Sequence, residues 1–325
     1  MSEALLEVKD LKTYLFLRRG VVKAVDGISF SVYPGQSIGI VGESGSGKSM
    51  AVSSILRLLP QPAGRTVEGS ILFKGEDLLK KDSKSMCKIR GKEISVIMQD
   101  PMNSLNPVYT IGNQLKETIR FHTECRARAK LQERAASALR SVMIPAPETR
   151  LAAYPHELSG GMRQRVVGSI ALCCEPSLLI ADEPTTALDV TIQAQYLELL
   201  KKIQSEMGVA MIFITHDLGI VARMCEYVCV MYLGKMVEKA PAIELWRNPR
   251  HKYTIALLKS IPSVNKKADR LYAIEGTVPS SLNIPKGCRF CTRCKFADDR
   301  CKAEEPPEME IGDNHFVSCW KAKEA

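Results

Sequence analysis

An α/β fold built around a phosphate-holding loop is what this sequence predicts, and three stretches predict it. The run "SIGIV" (Ser37 to Val41) is short and continuously apolar, as a buried strand is. It is followed by the glycine-rich "GESGSGKS" and then by "SMAVSSILRLL", which has helical periodicity, so the order is strand, loop, helix. The run "EPSLLIADEP" (Glu175 to Pro184) reads as a second apolar strand ending in adjacent carboxylates. Between them, "TIGNQLKETIRFH" and "RAKLQERAASALRSVM" carry helical spacing with charged faces.

The 325 residues, 45% hydrophobic and 25% charged, suffice to bury a substantial core and suggest one large domain plus a smaller one. Apolar runs such as "VAMIFIT" and "YVCVMYLG" fall short of the roughly 18 to 20 residues that a membrane-spanning helix needs. The acidic start "MSEALLEVKDLK" lacks the long apolar region of a secretion signal, so a soluble cytoplasmic chain is expected. The net charge of +9 is scattered rather than massed, which favours a solvated basic surface over a nucleic-acid face.

The loop from Gly42 to Ser49 ends in Gly-Lys-Ser and sits between strand and helix, the context in which such a loop cradles phosphate. Glycines at Gly42, Gly45 and Gly47 permit backbone angles that turn successive N–H groups inward, with Ser44 and Ser46 between them. Lys48 is expected to reach the outer phosphates and the Ser49 hydroxyl to ligate magnesium. A glycine turn before a helix can be purely structural, but the Lys-Ser ending argues against that here. Asp182, at the end of the second strand, is placed to hold the magnesium ion, and Glu183 to polarise the attacking water.

The stretch "ELSGGMRQR" (Glu157 to Arg165) is similar to the signature sequence of ATP-binding-cassette (ABC) ATPases. That resemblance implies an ABC-type P-loop ATPase, a RecA-like core plus a helical subdomain over about residues 100–160, with the cassette spanning 1–250. It also implies that Ser159, Gly160, Gly161 and Gln164 serve an ATP bound mainly by the other subunit of a head-to-tail dimer, as does Asp189 in "TTALDV". Gln99 in "VIMQDP" matches the glutamine that contacts magnesium and water, and His216 in "FITHD" the histidine that senses the terminal phosphate. Tyr14 in "LKTYLF" matches the aromatic residue that stacks on adenine, with Phe16 a nearby competitor. In the family the helical subdomain meets a coupling helix of a transmembrane subunit, and "DPMNSLNPVYTIG" (Asp100 to Gly112) is expected near that contact.

The segments "NPRHKYTIALLKSIP" and "IEGTVPSSLNIPKGCRF" resemble the C-terminal extension of dipeptide, oligopeptide and nickel importer ATPases, here residues 251–325. The implied partners are a second cassette subunit, usually a paralogue, two permeases and an external binding protein, at the cytoplasmic face of the membrane. Chromosome and repair ATPases share the nucleotide motifs but need a long coiled-coil insertion, and none lies between Lys48 and Ser159. The resemblance implies ATP-driven import of dipeptides or oligopeptides, with nickel or another small solute as the alternative cargo.

Of the eleven cysteines, five lie from Cys288 onward, in "GCRFCTRCKFADDRC" and at Cys319. By spacing alone Cys288, Cys291 and Cys294 resemble part of a ferredoxin ligand run. The subfamily resemblance instead implies Cys288, Cys294, Cys301 and Cys319 as ligands of a [4Fe-4S] cluster, with Cys291 additional. Zinc is the alternative, since four thiolates suit it equally well.

Overall fold

The computed structural model describes residues 3–99, 104–186, 188–261 and 272–324. Its strands are, in chain order, β1 (Leu6–Leu17), β2 (Gly20–Val32), β3 (Ser37–Val41), β4 (Gly64–Phe73), β5 (Glu76–Asp77), β6 (Ile94–Ile97), β7 (Leu178–Asp182), β8 (Ala210–Thr215), β9 (Tyr227–Tyr232), β10 (Lys235–Pro241), β11 (Met309–Gly312) and β12 (His315–Val317). They divide between two compact units, one comprising residues 1–32, 37–79 and 214–325, the other residues 33–36 and 80–213.

In the first unit, β2-β1-β4-β5 form an antiparallel sheet. A second run of strands, β11-β12-β10-β9-β3, carries the nucleotide loop. In it β3 lies parallel to β9, with Ile38 opposite Tyr227 and Val41 opposite Val230. All five residues of β3 are buried, which is why its sequence is continuously apolar instead of alternating. The chain end returns to this sheet as β12, which pairs antiparallel with β10 through Glu238 and Val317. That pairing draws residues beyond 310 back beside the strands that carry the glycine-rich loop.

In the second unit, β6 and β7 are parallel, with Ile94 opposite Leu178, and β7 neighbours β8. The helical pattern of the middle segment forms helices Ile111–His122, Arg128–Ser141 and Gly160–Leu172. The first buries Ile111, Leu115 and Ile119, and the second Leu131, Ala135 and Leu139. Each set recurs every four residues and so makes one stripe. Thr110 starts the first helix by accepting a hydrogen bond from the Asn113 N–H at 3.3 Å. The segment Asp100 to Gly112 lies partly outside the described residues, which resume at Ser104.

Candidate functional site

β3 ends at Val41, and from Gly42 the chain wraps into a loop that ends at Gly47, the N-cap of helix Lys48–Ile55. Gly42, Gly45 and Gly47 have φ of 156°, 78° and 105°. At Gly47 a Cβ would strike the Ala24 carbonyl oxygen, so conformation and space both require glycine there. At Gly45 a Cβ would meet nothing within 4 Å, so the loop is open at that position. Lys48 is only 6% exposed, and its ammonium donates to the carbonyls of Gly42 (2.7 Å) and Glu43 (3.0 Å) and to Ser46 Oγ (3.4 Å). The lysine expected to reach the phosphates thus stands folded back on the loop that would hold them. Ser44 and Ser49 are exposed.

Asp182 is the buried last residue of β7, and the chain turns sharply after it. Glu183 adopts a left-handed φ of 45°, a strained conformation for a side-chain-bearing residue and one that concentrates at functional sites. Its Oε2 accepts hydrogen bonds from Gln99 Nε2 at 2.8 Å and from Thr186 Oγ1 at 3.0 Å. Gln99 and Glu183 are thus brought together from sequence positions 84 apart. Thr186, which the motif reading passed over, is a second anchor; its spacing of three from Glu183 across a turn is the signal that could have found it.

Ser159 caps helix Gly160–Leu172, its Oγ accepting from the Met162 N–H at 3.3 Å. A Cβ at Gly160 would meet nothing within 4 Å, whereas one at Gly161 would press on Ile192 Cγ2 at 2.8 Å. Gln164, in the same helix, is 1% exposed within the single chain. Asp189 is exposed and caps helix Val190–Met207 by accepting from Ile192 N–H at 3.0 Å. His216 is exposed, directly after β8, and its neighbour Asp217 caps helix Leu218–Met224.

Tyr14 is half-buried on β1, donates its hydroxyl to Asp26 Oδ1 at 2.6 Å and has the Lys23 ammonium 5.6 Å from its ring centre. Burial, then the bond to Asp26, pushes its pKa upward. Burial alone would raise the Asp26 carboxyl, yet hydrogen bonds from Tyr14 and Arg289 outweigh it and hold the pKa below the usual range. Phe16 is exposed, with the Arg65 guanidinium 5.6 Å from its ring centre.

The return of β12 carries Cys319 to the cysteine-rich segment. Cys288, Cys291, Cys294, Cys301 and Cys319 all line one small cavity. The Cys288 N–H donates to the Cys301 carbonyl at 2.8 Å. Burial is the main cause that raises the thiol pKa of each of the five, Cys288 up to about 12. Among the described residues no group of three or more His, Cys, Asp or Glu side chains is gathered closely enough to hold a metal ion. The [4Fe-4S] ligand set Cys288, Cys294, Cys301 and Cys319, and the zinc alternative, are therefore not formed as a centre. The donor chemistry of five thiols suits a soft metal centre.

A model of the ABC transporter family matches residues 25–186. A probable peptide ABC transporter ATP-binding protein of Sinorhizobium fredii is 48% identical over 99% of this chain and 96% of its own length. The chain belongs to the ABC transporter family. Residues 237–301 of this ABC chain match a model of the oligopeptide/dipeptide transporter C-terminal region. The oligopeptide transport ATP-binding protein AppD of Bacillus subtilis is 46% identical over 98% of the chain and 97% of its own length. The dipeptide transport protein DppD of the same organism is 46% identical over 98% and 95%. Among solved structures, cbiO1 of the cbiONQ transporter from Clostridium perfringens covers 75% of the ABC chain and 91% of its own at TM-score 0.65 and 26% identity. The dimeric ATP-binding cassette MJ0796 covers 73% and 98% at TM-score 0.65 and 25% identity. The fold is the ABC cassette α/β fold. ATP binding with Mg²⁺ is expected of such a chain, and ABC ATP-binding subunits of peptide importers are ATPases coupled to transport.

Proposed function

We propose that this ABC chain hydrolyses ATP to drive the import of dipeptides or oligopeptides through a pair of membrane permeases. The observation that carries the cargo class is the match of residues 237–301 to the oligopeptide/dipeptide transporter C-terminal region, backed by full-length relatives named for peptide transport. No described helix is long and apolar enough to cross a membrane, which suits peripheral attachment to permeases at the cytoplasmic face. A cassette of 1–250 and an extension of 251–325 is the domain division we adopt.

In this reading the N–H groups of the Gly42 to Ser49 loop hold the phosphates, and Lys48 exchanges loop carbonyls for phosphate oxygens. Ser49, Gln99 and Asp182 hold Mg²⁺, which when bound offsets the charge developing on the transferred phosphoryl group. Glu183, oriented by Gln99 and Thr186, takes the proton of the attacking water. His216 reads the terminal phosphate, and Tyr14 or Phe16 offers an aromatic face to adenine. Ser159, Gly160, Gly161, Gln164 and Asp189 serve the nucleotide held by a second cassette, whether identical or a paralogue. The permease contact falls on the exposed face formed by Val108, Tyr109 and Phe121, the last 69% exposed.

Reconstitution with the cognate permeases and external binding protein tests this. ATP-dependent uptake of a labelled dipeptide is expected, and uptake of Ni²⁺ but no peptide would replace the cargo. ATPase activity stimulated by DNA and not by permeases would overturn the transport reading. The finer reading is a [4Fe-4S] cluster held by Cys288, Cys294, Cys301 and Cys319, supported by the shared cavity and by the softness of the donors. Anaerobically purified protein should then contain iron that is lost in Cys319→Ser and kept in Cys291→Ser. Zinc without iron would change the metal, and neither metal would leave a thiol-lined core.

A further inference from the structure

Of the three arginines in the cysteine-rich segment, Arg300 is exposed, while Arg289 and Arg293 are turned inward. Arg293, between Cys291 and Cys294, has a side chain only 3% exposed and makes a bidentate pair with Glu43, the second residue of the phosphate loop. Its Nη1 donates to Glu43 Oε2 at 2.6 Å and its Nη2 to Glu43 Oε1 at 3.0 Å. Further donations, to the carbonyls of Glu275 (3.1 Å) and Ile274 (3.4 Å) and to Tyr232 Oη (3.4 Å), fix the plane of the guanidinium. Glu43 is tied at its backbone as well, since its N–H donates to the hydroxyl of Tyr253 at 2.8 Å. Phe290 packs among the rings that border this pair, 5.3 Å from both Tyr232 and Tyr253.

Arg289, on the other side of Cys291, makes a second connection. Its Nη2 donates to Asp26, which also accepts from Tyr14, and its Nη1 donates to the Leu233 carbonyl at 2.7 Å. The next residue, Gly234, donates its N–H to the Ser46 carbonyl in the phosphate loop at 2.8 Å. Two points of the loop, Glu43 and Ser46, are thus held from the C-terminal segment, one directly and one through a single turn.

We propose that the cysteine-rich extension is a positioning element of the ATP site, and that Arg293 sets the phosphate loop through its buried pair with Glu43. Nothing in the hydrolysis chemistry requires a glutamate at the second position of the loop, because the phosphates are met by backbone N–H groups and Lys48. A carboxylate there, close to where anions bind, is unfavourable unless neutralised, and Arg293 neutralises it in a fixed bidentate geometry. The pair therefore holds the loop open in shape and cancels a charge that would repel ATP. Disturbing the segment around Cys291 and Cys294 would be felt first in nucleotide affinity. The proposal rests on the ATP-binding reading above.

The test measures affinity for a fluorescent ATP analogue on the full-length chain, and KM and kcat for ATP in the assembled transporter. Arg293→Ala should weaken affinity and raise KM about tenfold while kcat at saturating ATP stays within about threefold. Arg293→Lys should recover part of the loss, since one ammonium cannot make both bonds. Glu43→Gln combined with Arg293→Met, a neutral pair of similar size, should weaken affinity no more than Arg293→Ala alone, because both act on one interaction. This pair also serves if Arg293→Ala proves unstable. Lys295→Ala, which removes an exposed bridge to Glu275 in the same segment, should bind like wild type. Folded Arg293 variants with wild-type affinity would overturn the proposal and leave the ATPase reading intact. Equal loss in Lys295→Ala would do the same by showing a general loosening, and wild-type protein that binds no ATP would overturn both.

Discussion

The chain has two glycine-bearing helix starts suited to anions, at Lys48 and at Gly160, and they are built differently. The first has three glycines at positive φ, a nearly buried lysine and a carbonyl wall that excludes any side chain at Gly47. The second has neither: its serine is spent on capping its own helix, and Gly160 faces open space. Under the proposed function the first holds the chain's own nucleotide, and the second serves as a half-site for a nucleotide held by another subunit.

The largest effect that would test this division belongs to Glu183. Glu183→Gln keeps the acceptor geometry toward Gln99 and Thr186 while losing the base, so turnover should fall by about 10²- to 10⁴-fold with ATP affinity unchanged. Single-turnover assays should find ATP trapped, and near-normal hydrolysis would remove Glu183 from the chemistry. Next, Gly47→Ala should destabilise the chain by more than about 1 kcal/mol and abolish ATP binding, because φ is left-handed and the Ala24 carbonyl blocks the new methyl. Gly160→Ala should melt within about 1 kcal/mol of wild type and yet lose turnover, as expected where the open space is filled by another subunit's ATP. Equal damage from both changes would break the comparison.

Ser159→Arg should lower turnover of the assembled transporter about tenfold or more, while the isolated chain's ATP affinity moves less than about twofold. A large affinity loss in the isolated chain would mean that Ser159 acts on its own chain's nucleotide. Thr186→Ala removes one anchor of Glu183 and should slow hydrolysis several-fold, about what one hydrogen bond supplies, without changing KM. The smallest effect belongs to Tyr14→Phe. It deletes the hydroxyl donated to Asp26 but keeps the ring, so stability should fall by about 1 kcal/mol and KM for ATP by no measurable amount. Loss of Asp26's partners also has a pH signature. Because its folded pKa is depressed, it contributes stability above its unfolded pKa, and this is lost as pH falls through the folded value. Tyr14→Phe should therefore narrow the acid side of the stability profile.

Much of the site was legible because its chemistry is local. The glycines of the phosphate loop, the strand before it and the carboxylate pair after β7 are each set by a few contiguous residues, and the helices Ile111–His122 and Arg128–Ser141 follow from one repeated spacing. The burial of Gln164 was not legible, because a motif does not state which way a helix face points; only the packing of Gly160–Leu172 decides it. The cysteine count was visible, but the spacing of Cys288, Cys291 and Cys294 and the distance to Cys319 pointed to different sets, and the fold puts all five on one cavity.

The sequence by itself determined the α/β class, the phosphate loop, the acidic strand end and the resemblance to importer ATPases, since backbone conformation and short-range periodicity decide those. The tertiary structure alone decided the rest. It set Gln99 beside Glu183, returned β12 to β10, and brought Arg293 across 250 positions to Glu43. The physical reason is that a buried charge must find its partner wherever folding brings one, and no local pattern records which residue that will be.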